Sequence, residues 1–174
     1  MAVLIRDIYE AFDLFHSSLY RREFRKTLNL HQWGEQDLLP LLRTFLLGYF
    51  GESLVPEAKA KLPGGLSGYG RLDFTIDGVG VEFAVRKPRS PKSSVQNGVN
   101  SPEVKKLMKH DGRAGLVLFD LSGDPLTKDE LDRFRELPSL GKESHRTSSF
   151  NVMYFFTTTG RPRKRGCIAK RIRA

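Results

Sequence analysis

Asp73 and Glu82 flank the turn dipeptide Asp77-Gly78 in the stretch GRLDFTIDGVGVEFAVRKPRS, residues 70–90. Asp-Gly between two alternating runs predicts a two-residue hairpin, because both central residues of a type I′ turn need positive φ. That turn sets Ile76 opposite Val79, Thr75 opposite Gly80, Phe74 opposite Val81 and Asp73 opposite Glu82. Leu72, Phe74, Ile76, Val81, Phe83 and Val85 then share an apolar face, and Arg71, Asp73, Thr75, Glu82, Ala84 and Arg86 share the other. Carboxylates directly opposite each other repel, by a few tenths to about 1 kcal/mol. Two readings follow. A divalent cation between them would offset the repulsion, and hard oxygen ligands select Mg2+ or Mn2+ over zinc. In the other reading the pair belongs to a solvated face neutralised by Arg71 and Arg86.

The elements that must hold this hairpin are readable from periodicity. Residues 3–19 place Leu4, Ile5, Ile8, Ala11, Phe12, Phe15 and Leu19 on one helical stripe. A basic stretch, 20–30, leads to a second helix over 36–50, whose start is expected near Asp37 because Pro40 fits best in a first turn. A strand is expected at 53–61, a glycine-rich loop at 62–70 and the hairpin at 71–86. A polar, basic loop follows, then a helix over 102–110 with Ser101 as N-cap and Pro102 at the first helical position. The continuous apolar run AGLVLFDLS, 114–122, predicts a buried central strand. Thr127 and Glu130 form a capping-box pattern, with Leu126 and Leu131 as the staple, opening a helix to about residue 137. FNVMYFFTT, 150–158, predicts a further strand. This order predicts an α/β fold: a central mixed sheet with an antiparallel hairpin, flanked by helices, plus N-terminal helices. The expected organisation is an N-terminal helical segment 1–33, an α/β core 34–160 and a basic tail 161–174.

The net charge of +9 over 174 residues favours an acidic partner, nucleic acid first and an anionic membrane surface second. The single Cys167 excludes an internal disulfide, and four scattered His with no Cys pair speak against structural zinc. No run approaches the roughly 18 apolar residues of a membrane span, and the first residues do not read as a signal peptide, so a cytoplasmic protein is expected.

An Asp on one strand, a Glu on the next, then a helix and a buried strand resembles the PD-(D/E)XK nuclease superfamily, the restriction endonuclease-like group, over residues 35–122. The resemblance implies a metal-dependent endonuclease that hydrolyses phosphodiester bonds, DNA before RNA, with Mg2+ or Mn2+ on Asp73 and Glu82. It also implies an acidic residue from the preceding helix, matched by Glu35 or Asp37. The family's lysine, two residues after the Glu, is replaced by Ala84 in EFA. Three substitutes are open. Arg71 lies opposite Ala84 in the expected register, Arg86 shares its face, and Lys105, Lys106 or Lys109 can reach in from the following helix. Lys87 faces the other side of a regular strand. Arginine stabilises phosphate charge but is a poor proton acceptor. The alternative function is a non-catalytic nucleic-acid-binding or scaffold subunit with a degenerate nuclease fold. Cutting both strands of a duplex implies a homodimer or a subunit of a larger complex.

Three basic clusters, 21–26, 86–92 and 161–173, are candidates for phosphate contact; within them and on the helix, Arg86, Lys87, Arg89, Lys92, Lys105, Lys106, Arg161, Arg163, Lys164 and Arg165 are expected to touch nucleic acid. Glu57 is an outside candidate for a ligand, and Glu103 reads as a first-turn helix charge. Tyr154, Phe155 and Phe156 read as strand core rather than base-stacking platforms. His110, His145, Ser93, Ser94 and Cys167 have no partner pattern for nucleophilic catalysis. The glycine-rich GGLSGYG lacks a P-loop lysine.

Overall fold

A computed structural model describes residues 2–27, 32–61, 69–92, 101–140, 148–159 and 164–173. Helices α1 (Ile5–Leu19), α2 (Arg22–Thr27) and α3 (Glu35–Phe50) precede strands β1 (Leu54–Lys61), β2 (Tyr69–Ile76) and β3 (Val79–Arg86). Helix α4 (Ser101–Lys109), β4 (Ala114–Asp120), α5 (Lys128–Asp132), β5 (Phe150–Thr157) and β6 (Arg165–Ile172) follow. The six strands form one sheet in chain order. The β1–β2, β2–β3 and β5–β6 pairs are antiparallel, and β3–β4 and β4–β5 are parallel. The fold is therefore α/β with a mixed sheet and N-terminal helices. Parallel neighbours need a crossover, which α4 supplies between β3 and β4, and α5 between β4 and β5.

Helices cover both faces, which is why β4 is buried throughout and apolar up to Asp120. Val117 and Phe119 enter a first core with Ile8, Phe12 and Phe15 of α1 and Leu38, Leu42 and Leu46 of α3. Leu116 and Leu118 enter a second, with Val104 and Leu107 of α4 and Leu131 and Phe134 beyond it. Phe119 is the hub of the first core: its ring lies 5.0 Å from Phe83 and 5.4 Å from Phe155, both edge-on, a favoured aromatic geometry. Thr127 caps α5 as its capping box requires, with Leu126 and Leu131 buried beside it.

Three expectations change. Helix α3 begins at Glu35, so Pro40 sits in its second turn. Leu4, expected on the buried stripe of α1, is 47% exposed. The segment from Arg165 is an edge strand rather than a basic tail; Arg165 pairs with Asp13 of α1 and Lys170 with Asp132 of α5, fastening β6 to both helical layers. Among the described residues no helix is long and apolar enough to cross a membrane.

Candidate active site

The β2–β3 ladder follows the register set by the Asp-Gly turn through Ile76↔Val79, Thr75↔Gly80 and Phe74↔Val81, and ends there. Asp73 and Glu82, expected to face each other, form no rung. Asp73 Oδ2 instead accepts the Phe83 N–H at 2.8 Å, the donor that a continued ladder would give to Leu72. The β1–β2 ladder skips the same place: Glu57, which would lie across from Asp73, has φ +49° and no pair. The strand turns over here. Phe74 and Ile76 lie in the first core, whereas Leu72, expected on their face, lies in the second with Ala84. Asp73 thus leaves both ladders and its carboxylate takes the place of a backbone partner.

Glu82 is 1% exposed. The hairpin face that carries it is covered by α4 instead of solvent. His110, just past the end of that helix, lies over Gly80: a Cβ there would stand 2.9 Å from His110 Cδ2 and from Leu72 Cδ1, so only glycine fits. One helical turn earlier, Lys106 Nζ donates to both Glu82 oxygens, at 3.0 and 3.1 Å. A turn of helix spans about 5.4 Å and two strand residues nearly 7 Å, so side chains four apart on α4 meet residues two apart on β3. The solvated-face reading is thereby corrected for Glu82. Lys106 keeps a third of its side chain in contact with solvent.

Glu35 is delivered by the start of α3. Gly34 precedes it, with the flexible, exposed side chain of Lys87 from the end of β3 lying over it. Asp37 is a cap: its Oδ2 accepts the Gly34 N–H at 2.7 Å. Burial raises the Glu82 carboxyl to about 8, helped by the charges of Asp73 and Glu103 and opposed by Lys106. Glu35 is exposed as a residue; partial burial of its carboxyl, then Asp73 and Glu103, raise it to about 7, opposed by Lys106. Glu35, Asp73, Glu82 and Glu103 thus share one field around the Lys106 ammonium. Glu103, read from sequence as a helix charge, belongs to it; the signal was its i, i+3 spacing from Lys106 on one helix face. Among the described residues, no three His, Cys, Asp or Glu side chains converge as a ready metal site.

The expected arginine substitutes are elsewhere. With the ladder ended at Phe74, Arg71 does not reach Ala84; it pairs across with Lys59, is largely exposed and lies 3.8 Å from Glu57. Arg86 is buried and donates to Asp120 at 3.0 Å and to the Asp124 carbonyl at 2.6 Å. Ala84 is buried in the second core, so packing fills the position of the motif lysine. Glu57 pairs with Arg43 at 2.8 Å.

Of the expected phosphate contacts, Lys87 and Arg89 are exposed beyond β3 and Lys164 before β6, and Lys105 is half-buried on α4. Lys92 is tied to Glu130 at 3.2 Å and Asp124 at 3.6 Å, and Arg165 to Asp13. Arg161, Arg163, Ser93, Ser94, His145 and most of the glycine-rich loop lie outside the described residues. Tyr154 and Phe155 are fully buried, as strand core should be. No protein-family model, no curated protein and no solved structure matches this chain, so its function must be argued from the residues of the site.

Proposed function

We propose that this chain is a metal-dependent nuclease, hydrolysing phosphodiester bonds in nucleic acid, DNA before RNA, in the cytoplasm. The observation that carries the reading is a buried Glu82 held by Lys106 beside an Asp73 that belongs to neither ladder. A divalent cation suits this donor set, because hard carboxylate oxygens outnumber the single ammonium among them. When bound, such a cation supplies Lewis-acid activation of water and neutralises phosphate charge.

The residues divide the work. Asp73 and Glu82, with Glu35 as third carboxylate, would hold the cation. Asp73 is oriented by the Phe83 N–H, so its free oxygen has a fixed direction. Lys106 would supply the charge of the missing motif lysine, donating to a phosphate oxygen as charge builds there. Lys87, Arg89, Lys105 and Lys164 supply sequence-independent backbone contacts. Cutting both strands of a duplex then takes two copies or a second subunit.

The test is incubation of supercoiled, linear and branched DNA with Mg2+, Mn2+ or chelator. Cation-dependent cleavage is expected, abolished by Asp73→Asn and reduced roughly ten- to a thousandfold by Lys106→Ala, the scale of a single electrostatic donor. Cleavage that survives Asp73→Asn at the wild-type rate refutes the assignment. The lack of three converged ligands among the described residues favours a second reading, a non-catalytic nucleic-acid-binding subunit; DNA binding by the wild type without cleavage would select it.

A further inference from the structure

At the end of the sheet where β4 and β5 begin, a cavity of about 580 Å³ opens beside the start of α1. This volume lies within the range of small-molecule sites, roughly 300–1,000 Å³. Its wall carries Arg113, Arg171, Ser148, Ser149, Asn151 and Asp111, with Ile5 as its apolar side. The groups come from separate elements: the α4–β4 turn, the approach to β5, β5 itself and the edge strand β6. Several are fixed in place. Arg113 Nη2 donates to the Val3 carbonyl at 2.9 Å. Asn151 Nδ2 donates to the Ala114 carbonyl at 3.3 Å, and Arg171 is its cross-strand partner. The Ser148 N–H is bound to the Met108 carbonyl at 2.8 Å, which fixes the backbone of this part of the wall.

Two guanidiniums with two hydroxyls match a phosphate monoester, since guanidinium presents paired N–H donors to a dianion and hydroxyls add neutral ones. Asp111 on the same wall repels a second anionic group and accepts from hydroxyl or amino groups. The combination selects a single phosphate on a body rich in donors. We infer that this cavity binds a phosphate monoester of nucleotide size. It shares no residue with the Asp73–Glu82 site and does not rest on the nuclease reading.

The test uses the full chain in chelator-containing buffer, titrated with adenosine 5′-monophosphate and with adenosine, by calorimetry or ligand-observed NMR. Saturable one-to-one binding of the monophosphate is expected, with adenosine weaker by about tenfold or more. Arg171→Ala, on an exposed edge strand, should weaken the monophosphate by a similar factor, as should Arg113→Ala. Asp73→Asn should leave it unchanged. Absence of saturable binding at millimolar monophosphate overturns the inference, as does equal affinity for adenosine. Unchanged affinity in both arginine variants overturns it too. An equal loss in Lys164→Ala, outside the cavity, would also overturn it by marking general charge as the cause.

Discussion

Glu82 and Arg86 lie four residues apart on β3, point to the same side of the strand and are both buried, yet their surroundings differ in kind. Arg86 is surrounded by acceptors: the Asp120 carboxylate at 3.0 Å, the Asp124 carbonyl at 2.6 Å and the Ser90 carbonyl at 3.1 Å. Asp120, its register partner on β4, accepts from Tyr154 at 2.6 Å and from Ser122 N at 3.0 Å. Donors and acceptors balance, and the network is closed. Glu82 has one cation for two oxygens, and the field of two more carboxylates, Asp73 and Glu103. A buried ion is tolerable when its partners are complete. Where like charges crowd and burial raises a carboxyl this far, the arrangement costs stability. The two ends of β3 thus differ as a completed ion network and an incompletely paired carboxyl, the contrast on which the proposed nuclease site rests.

The largest expected contrast is thermodynamic. Arg86→Ala removes the cation and leaves Asp120 buried, so it should destabilise by about 3–5 kcal/mol in urea melts. Glu82→Gln should leave stability unchanged or raise it at neutral pH, since it removes the cost of the proton that the fold takes up there. A loss below about 1 kcal/mol for Arg86→Ala, or a larger loss for Glu82→Gln than for Arg86→Ala, would invert the distinction.

A pH series makes the contrast finer. The Glu82 carboxyl is raised from 4.5 to about 8 in the fold. Between those values the folded state keeps a proton that the unfolded chain releases. The stability it contributes is therefore complete below about 4.5, falls as pH rises and is gone above about 8; by pH 7 the decline is roughly 3 kcal/mol. His16 works in the other direction. It is fully buried against Phe119 and Tyr20, with neither ring nitrogen hydrogen-bonded, and burial, then Arg165, lower it from 6.5 to about 3. Its contribution is present above 6.5 and lost as pH falls toward 3. Wild type should then lose stability on both sides of a maximum, and Glu82→Gln should make the alkaline side shallower, leaving the part due to Glu35, without changing the acid side. Mg2+ should raise the wild-type melting temperature most at the alkaline end through linkage, and should do little for an Asp73→Asn, Glu82→Gln double variant. An alkaline side unchanged by Glu82→Gln would place the titrating carboxyl elsewhere.

How much of this was readable beforehand depends on where each signal resided. The Asp-Gly turn fixed the first three rungs, the unbroken apolar run of 114–122 fixed β4 as central, and Thr127 with Glu130 fixed the start of α5, because each depends on neighbours in the chain. Asp73 departs from its ladder because its own carboxylate competes for the Phe83 N–H, and alternation alone does not register such competition. Arg86 read as exposed because a hairpin face was assumed to meet water; Asp120 at the end of β4, Asp124 beyond it and Ser90 close over its guanidinium. Lys106 was one of three helix lysines, and only the packing of His110 on Gly80 selects it. Strand β6 was hidden by its composition: Lys and Arg at a sheet edge look like a tail, yet are what keeps an edge strand from pairing with other chains.

The smallest effect tests whether the closed network is closed in function as well. Tyr154 is fully buried; its hydroxyl donates to Asp120 Oδ2 at 2.6 Å and accepts the Leu126 N–H at 2.7 Å, where the chain enters the α5 cap. Burial, then the hydrogen bond to Asp120, push the phenol well above its usual range, so it remains a donor at every working pH. Tyr154→Phe keeps the ring stacked on Phe156, 5.2 Å away, while leaving the Leu126 N–H without its partner. Asp120 retains Arg86 and Ser122, so the loss should be about 1–2 kcal/mol, below that of Arg86→Ala. Cation-dependent cleavage, measured well below the melting temperature, should be unaltered, because no group within the carboxylate field has moved. If Tyr154→Phe instead lowers cleavage as far as Lys106→Ala does, the Arg86–Asp120–Tyr154 network belongs to the reaction, and the division of β3 into a holding end and a working end fails.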